Sequence, residues 1–140
     1  MQTSANGIAF IKKNEGLVLK AGDDVGHQAI GYGHDLLPGE SYPDGITQDQ
    51  ADAILAQDVS KVDAAMNAQH LSIELNQNQW DALADFCFNC GKGALIQLLA
   101  HGIDQVPMQL MRWTHAGGEE NAGLKARRES EVELWNATSQ

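Results

Sequence analysis

The stretch EGLVLKAGDDVGHQAIGYGH, residues 15–34, decides the fold because it joins a helix to a short sheet. It begins with Glu15 at the predicted end of a helix and continues through the alternating apolar segment 17–21. Such alternation is typical of a half-buried strand. The chain turns at residues 22–26 and ends in IGYGH, residues 30–34, predicted as a second, glycine-rich strand. A helix end is therefore expected to face a hairpin turn.

Carboxyl groups lie on both sides of this arrangement. Glu15 shares its predicted helix face with Ile8 and Ile11, which places it on the buried side. Partial burial favours the protonated form of a carboxyl group, as general acid catalysis requires. Asp23 and Asp24 lie in the turn. A pair of carboxyl groups placed in this way is what enzymes that cleave glycosidic bonds use. The plainer interpretation of Glu15 is a solvated glutamate at a frayed helix end.

Helices dominate the rest of the chain. The first is predicted over residues 4–14, and capping-box patterns at 47–50 and 76–79 begin two more. Asp58 falls on the apolar stripe of the helix that starts after residue 47, and a carboxylate on an apolar face needs a partner. We predict that His34 is this partner, in a buried and structural ion pair.

The C-terminal third is predicted to be helical as well. Asp104 is expected to cap a helix that has Pro107 in its first turn and runs to about residue 113. Residues 116–123 are interpreted as a loop before a last helix at 124–137.

This order of elements predicts an α+β fold with its strands gathered near the N-terminus. A single domain, residues 1–140, is expected to contain a small antiparallel hairpin or sheet lobe at about 15–46. The mainly helical lobe comprises about 47–140 together with the N-terminal helix, and a cleft is expected between the two lobes.

Composition narrows the function. A length of 140 residues suits one domain, and the net charge of −10 argues against nucleic acid or an anionic membrane as a binding surface. No apolar run approaches the roughly 18 residues of a membrane span, and the N-terminus lacks the features of a signal peptide. The protein is therefore expected to be made and kept in the cytoplasm, without stable membrane association.

Several segments together carry a family resemblance. They are residues 3–17 (TSANGIAFIKKNEGL), 30–34 (IGYGH), 46–59 (ITQDQADAILAQDV), 75–95 (LNQNQWDALADFCFNCGKGAL), 112–113 (RW) and 123–135 (GLKARRESEVELW). Over nearly its whole length the chain resembles the phage-type lysozymes, glycoside hydrolase family 24, and in particular the endolysins. The resemblance implies a lysozyme-like fold and a muramidase that cleaves the β-1,4 bond between N-acetylmuramic acid and N-acetylglucosamine.

The resemblance also implies roles for the residues of the central stretch. Glu15 matches the family's general acid. Counting forward from it makes Asp24 the second carboxylate, whereas counting back from the IGYGH strand points to Asp23, and Asp24 is preferred. Ala29 stands where the family has a threonine that helps to place the attacking water, so this departure is expected to weaken catalysis.

Substrate-binding residues follow from the same resemblance. Tyr32, Phe88 and Asn89 are expected to line the sugar groove, with plain core packing as the alternative for Phe88. Arg127 or Arg128 is expected to approach the general acid. The predicted ion pair matches the family's pairing between the lobes.

The expected partner is the glycan strand of peptidoglycan, reached from the host cytoplasm after release by another factor. A monomer that needs no cofactor or metal is expected, because the sequence contains no motif for either. Two alternatives remain. One is a lysozyme-fold protein that binds peptidoglycan without cutting it, which the alanine at position 29 favours, and the other is a hydrolase of chitin-type oligosaccharides.

Overall fold

A computed structural model describes residues 1–20, 29–71 and 75–137. The end of the predicted first strand and both aspartates of the turn, Asp23 and Asp24, lie outside the described residues.

Six α-helices occupy most of the described chain. They are α1 (Ala5–Glu15), α2 (Gln48–Asn67), α3 (Gln77–Cys90), α4 (Lys92–Leu99), α5 (Val106–Leu110) and α6 (Ala122–Asn136). Two antiparallel strand pairs accompany them: β1 (Ala29–Ile30) with β2 (His34–Asp35), and β3 (His115–Ala116) with β4 (Glu119–Glu120). Within the described residues, no helix combines the length and the apolar character needed to cross a bilayer.

The helix ends follow the local sequence closely. Thr47 and Asn76 begin α2 and α3 with complete capping boxes, in which each side chain accepts a hydrogen bond from the third helical residue. Both predicted boxes are confirmed. Gly16 ends α1 with φ of +72°, and its N–H donates to the Lys12 carbonyl at 2.9 Å. Glycine adopts this left-handed backbone at little cost, so Glu15 is held at the helix end.

The segment IGYGH forms a hairpin, so its prediction as one strand was wrong. Ile30 in β1 pairs with His34 in β2, and the three residues between them turn the chain. Gly31 and Gly33 have φ of +65° and +66°, which only glycine adopts readily. The two glycines therefore reverse the chain instead of extending it.

Residues 17–19, which precede the hairpin, contribute little to the sheet. Val18 forms a single bridge with Gly31, while Leu17 and Leu19 are 38% and 43% exposed. The predicted alternation of buried and exposed positions is therefore absent from residues 17–19.

Two C-terminal predictions also need correction. Asp104 lies inside a short 3₁₀ turn, Ile103–Gln105, and caps nothing, and α5 ends at Leu110 instead of near residue 113. The predicted loop at 116–123 contains most of the β3–β4 hairpin, which turns at two consecutive glycines of positive φ. A side-chain cap from Asn121 then starts α6 two residues earlier than predicted.

Buried side chains form two clusters. The larger one surrounds α3, where Trp80 and Phe86 are fully buried, and it extends to α4, α5 and α6. The smaller one is built by α1, the β1–β2 hairpin and the first half of α2, around Ile11, Ile30 and Leu55. Since α2 contributes to both clusters, it connects a small lobe to a helical lobe. The predicted α+β class is confirmed.

Candidate active site

Glu15 occupies the last position of α1, with 15% of its side chain exposed. Its Oε1 lies 2.9 Å from Nη1 of Arg127, which comes from α6 at the other end of the chain. The sequence left open whether Arg127 or Arg128 approaches this carboxyl, and the structure assigns Arg127. The carboxylate is therefore both largely buried and paired.

Arg127 is held in turn by Asp85, a fully buried residue of α3. The guanidinium Nε and Nη2 donate to the two carboxylate oxygens of Asp85, each at 2.9 Å. Asn14 adds a hydrogen bond to Asp85 at 3.2 Å. Burial alone would lower the pKa of Arg127, but the hydrogen bonds and charge of Asp85, and then of Glu15, raise it. This two-point contact fixes the plane of the guanidinium that faces Glu15.

Gly33 of the hairpin packs against the other side of the Glu15 carboxyl. A Cβ atom at this position would lie 2.7 Å from Glu15 Cδ, and closer still to Oε2. Only a residue without a side chain fits here. The hairpin turn and the end of α1 are therefore in direct contact.

His34 lies between two carboxylates. Its Nδ1 is 2.7 Å from Asp58 Oδ2, which is the contact predicted from the apolar stripe of α2. Its Nε2 is 2.8 Å from Oε1 of Glu40, a residue that the sequence analysis missed. Glu40 also accepts hydrogen bonds from the Leu37 N–H and the Tyr42 hydroxyl. The imidazole therefore ties the loop after β2, as well as α2, to the hairpin.

This contact changes the ionisation of the imidazole. Burial by itself lowers the pKa of His34, but the hydrogen bonds and charges of Glu40 and Asp58 outweigh it, so the pKa is raised above 6.5. The Leu37 N–H, followed by His34, lowers the pKa of the Glu40 carboxyl. Protonated His34 and its two carboxylates therefore stabilise one another.

We expect His34→Gln to reduce the free energy of unfolding by roughly 1–3 kcal/mol at pH 6, because hydrogen bonds to a charged group are lost. A raised pKa means that the stabilisation is complete below the unfolded value of 6.5 and is lost as pH rises through the folded value. The difference between wild type and variant should therefore shrink in alkaline solution. Denaturant unfolding at a series of pH values measures it, with the exposed His101→Gln as the control. An equal loss at every pH would contradict the proposed charge.

A groove of about 230 Å³ adjoins this ion pair and is lined by both lobes. Its walls are Gly33, His34, Asp35 and Leu37 from the hairpin and its loop, Asp58, Lys61 and Val62 from α2, and Cys87 and Phe88 from α3. Phe88 is half-buried and presents an apolar surface to the groove. Gly33 lines the groove and packs against the Glu15 carboxyl, although Glu15 itself is not among the lining residues.

Asn89 is oriented by a buried arginine. Arg128 Nη2 donates to Asn89 Oδ1 at 2.7 Å, and Nη1 contacts Cys90 Sγ at 2.8 Å. Because a guanidinium only donates hydrogen bonds, the Asn89 carboxamide must turn its oxygen toward Arg128. Its NH₂ group makes no hydrogen bond within the described residues and is left as a donor.

Arg128 itself is fully buried and pairs with the fully buried Glu131. Its Nε lies 2.7 Å from Glu131 Oε1, and its Nη2 donates to Oε2 at 3.0 Å. Burial, and then the nearby Asp85 carboxylate, raises the pKa of Glu131, while Arg128 and Arg127 oppose this shift. The carboxyl groups of Glu15, Asp85 and Glu131 thus share the guanidinium groups of Arg127 and Arg128. The raised pKa means that Glu131 retains a proton more readily than an exposed glutamate.

The remaining candidate residues differ in their surroundings. Tyr32 is 9% exposed and belongs to the small-lobe core, where its hydroxyl accepts a hydrogen bond from Gln48 at 2.8 Å. It is not among the residues that line the groove. Ala29 is half-buried in β1, opposite Asp35. Asp23 and Asp24 lie outside the described residues.

The sequence analysis did not identify three acidic residues of this region: Asp85, Glu131 and Glu40. For Asp85 a signal was present, because it lies between Ala84 and Phe86 on the most buried helix. Glu131 lies three positions after Arg128 on the same helix, a spacing that favours an ion pair. Glu40, in an irregular loop, carried no comparable signal.

Comparisons with known proteins identify the family of this chain. The Phage lysozyme family model matches residues 12–131. The endolysin of Bacillus phage PZA is 38% identical, over 98% of this chain and 56% of that protein, so the chain spans about half the length of that relative. The endolysin of Salmonella phage P22 is 36% identical, over 91% of this chain and 94% of that protein.

A solved structure supports the same family. The muramidase domain of SpmX from Asticaccaulis excentricus superposes with a TM-score of 0.81 at 30% identity, covering 98% of this chain and 99% of that one. The family model covers most of the chain, and the P22 relative is matched over nearly its whole length. The chain therefore belongs to the phage lysozyme family.

Proposed function

We propose that this protein is a muramidase that hydrolyses the β-1,4 bond between N-acetylmuramic acid and N-acetylglucosamine in peptidoglycan. The observation that carries the proposal is the Glu15 carboxyl, largely buried at a helix end and packed against Gly33, a residue that also lines the groove between the two lobes. Relatives named endolysins, which match nearly the whole chain, support it.

Glu15 acts as the general acid in this proposal. Its proton passes to the glycosidic oxygen as the bond breaks, and Arg127, 2.9 Å away, then stabilises the carboxylate that remains. Asp24 is the second carboxylate, with Asp23 as the alternative, and it handles the attacking water or the positive charge that develops on the sugar. Their place in the sequence, between the end of α1 and β1, supports this assignment.

The groove would hold the glycan strand. Phe88 lines the groove and offers an apolar face to a sugar ring. Asn89, the next residue of α3, is not among the lining residues, but its free NH₂ group is a donor suited to the carbonyl of an N-acetyl or peptide amide. Tyr32 supports the hairpin from the small-lobe core, because its hydroxyl accepts a hydrogen bond from Gln48. His34 and Asp58 keep the hairpin wall of the groove in place.

Product analysis tests the proposed reaction directly. Purified peptidoglycan is digested, the new reducing ends are reduced with borohydride, and the fragments are identified by mass spectrometry. Reduced N-acetylmuramic acid at the new ends is the expected result. Reduced N-acetylglucosamine would contradict the bond assigned here. Binding to the wall without any product would favour the non-catalytic alternative, and cleavage of chitin oligosaccharides alone would favour the chitin-type hydrolase.

The close contact of Gly33 with Glu15 predicts a specific loss of activity. A Cβ atom at position 33 must displace the carboxyl, so Gly33→Ala is expected to reduce the rate of wall cleavage by about 10–100-fold. Gly39→Ala is the matched control, because Gly39 has φ of +83° and nothing within 4 Å of an added Cβ. Both variants strain the backbone, by about 1 kcal/mol each. Equal activities of the two variants would contradict the proposed contact.

A substitution at Ala29 is expected to raise activity, in contrast to the loss expected for Gly33→Ala. Ala29→Thr is expected to raise the turnover number several-fold, because the added hydroxyl helps to position the attacking water. Ala29→Val adds the same volume without the hydroxyl and should leave turnover unchanged. Initial rates of turbidity loss, measured with outer-membrane-stripped Gram-negative cells, report the effect. A similar response to threonine and valine would show that the hydroxyl has no role.

We further propose that the protein reaches the wall from the host cytoplasm once another factor has opened the membrane. The endolysin names of its relatives support action on the cell wall of a phage host. Expression with and without a membrane-permeabilising protein tests it, since lysis is expected only when both are present.

A further inference from the structure

A second cavity lies in the helical lobe, apart from the groove described above. It has a volume of about 280 Å³ and is formed by α4, α5 and the residues that follow each helix. Its lining consists of Gln97, Leu98, His101, Gln109, Arg112 and Trp113. It shares no lining residue with the groove beside His34.

The polar side chains of this cavity have unused hydrogen-bonding capacity. Arg112 and His101 make no ion pair or side-chain hydrogen bond with any other described residue. The Trp113 ring packs edge-on against Phe86 at 5.6 Å, yet its indole N–H donates to nothing in the described part of the chain. Donors from three different positions therefore line one small space without partners among the described residues, and two of them, Arg112 and His101, are exposed to solvent.

Gln109 is the most informative member. It is only 8% exposed, and its carboxamide has no hydrogen-bond partner among the described residues. Its carboxamide atoms are not among the fully buried unpaired atoms of the described residues, so they remain accessible from the cavity. By contrast, both carboxylate oxygens of the buried Asp85 accept hydrogen bonds from Arg127. Gln109 instead contributes its amide to the cavity.

Charge indicates the class of ligand. The protein carries a net charge of −10, yet this cavity is lined by an arginine and a histidine, with no acidic residue among its lining. A guanidinium is suited to two-point contact with a carboxylate, and the Gln109 amide pairs well with a neighbouring amide. Leu98 and the Trp113 ring supply an apolar surface for a methyl group.

We propose that this cavity is a binding site for a carboxylate that adjoins an amide, on a ligand no larger than an acetylated dipeptide or a single acidic amino sugar. Arg112 holds the carboxylate, Gln109 holds the amide, and Leu98 and Trp113 contact the methyl groups. In peptidoglycan this chemistry occurs at the end of the peptide stem and in N-acetylmuramic acid. The connection with peptidoglycan rests on the proposed function, whereas carboxylate binding by the cavity does not.

Nuclear magnetic resonance titration of the full chain tests the proposal. The probes are N-acetyl-D-alanyl-D-alanine, N-acetylmuramic acid and, as the uncharged comparison, N-acetylglucosamine. The Trp113 indole resonance, one of three in the chain, is assigned with Trp113→Phe. Arg112→Gln removes the central cation, and Lys92→Gln removes an exposed cation from α4 outside the cavity.

Saturable shifts of the Trp113 indole with one or both carboxylate probes are expected. Arg112→Gln should weaken that binding at least about tenfold, while Lys92→Gln leaves it unchanged. The better probe identifies the source of the carboxylate. No saturable shift, equal binding of N-acetylglucosamine, or equal effects of the two substitutions would overturn the proposal. The titration needs no catalysis, so a protein that binds these probes but cuts no wall would refute only the proposed function.

Discussion

Replacement of Glu15 by glutamine is expected to lower the rate of peptidoglycan cleavage by about two to four orders of magnitude, the usual contribution of a general acid. Glutamine keeps the size of the side chain and an oxygen that can accept the hydrogen bond from Arg127 Nη1. It has no acidic proton for the glycosidic oxygen. The loss should therefore appear in the chemical step, with little change in binding to the wall.

The control for this substitution is Glu129→Gln, an exposed glutamate of α6 whose change should leave the rate unaltered. Melting curves verify that both variants fold. Asp24→Asn and Asp23→Asn belong in the same assay, and the larger loss is expected for Asp24→Asn. A cleavage rate equal to that of the wild type in Glu15→Gln would show that Glu15 is not the general acid.

Replacement of Arg127 by methionine is expected to reduce the free energy of unfolding by roughly 3–5 kcal/mol at neutral pH. Methionine fills similar space but leaves Asp85, which is fully buried, without the cation that donates to both of its oxygens. A buried carboxylate that has lost its partner is strongly destabilising. Glu15 loses its counter-charge at the same time.

Lys125→Met provides the comparison on the same helix. Lys125 pairs with Glu120 at 3.5 Å, but both side chains are at least half exposed, so removal of the pair should change stability by about 0.5 kcal/mol or less. The double substitution Arg127→Met with Asp85→Asn should recover part of the loss, because the orphaned charge is gone. Equal denaturation midpoints of Arg127→Met and Lys125→Met would show that the buried pair contributes nothing.

The helical framework was predictable because its signals are local. The capping boxes at Thr47 and Asn76 join groups three residues apart, and Gly16 ends α1 through its own backbone preference. The contact between His34 and Asp58 was also predictable, since a carboxylate on an apolar stripe requires a partner. Glycine-rich and irregular segments were harder, as the IGYGH hairpin demonstrates.

The sequence by itself determined the α+β class, the capped starts of α2 and α3, and the placement of Glu15 at a helix end, because these depend mainly on neighbours within a few positions. Only the tertiary structure decided which arginine meets Glu15. That contact joins residues 112 positions apart, and the Asp85 contact that orients Arg127 spans 42 positions. Adjacent arginines are hard to tell apart by local signals, and it is the packing of α3 against both α1 and α6 that brings Arg127 to Asp85 and Glu15.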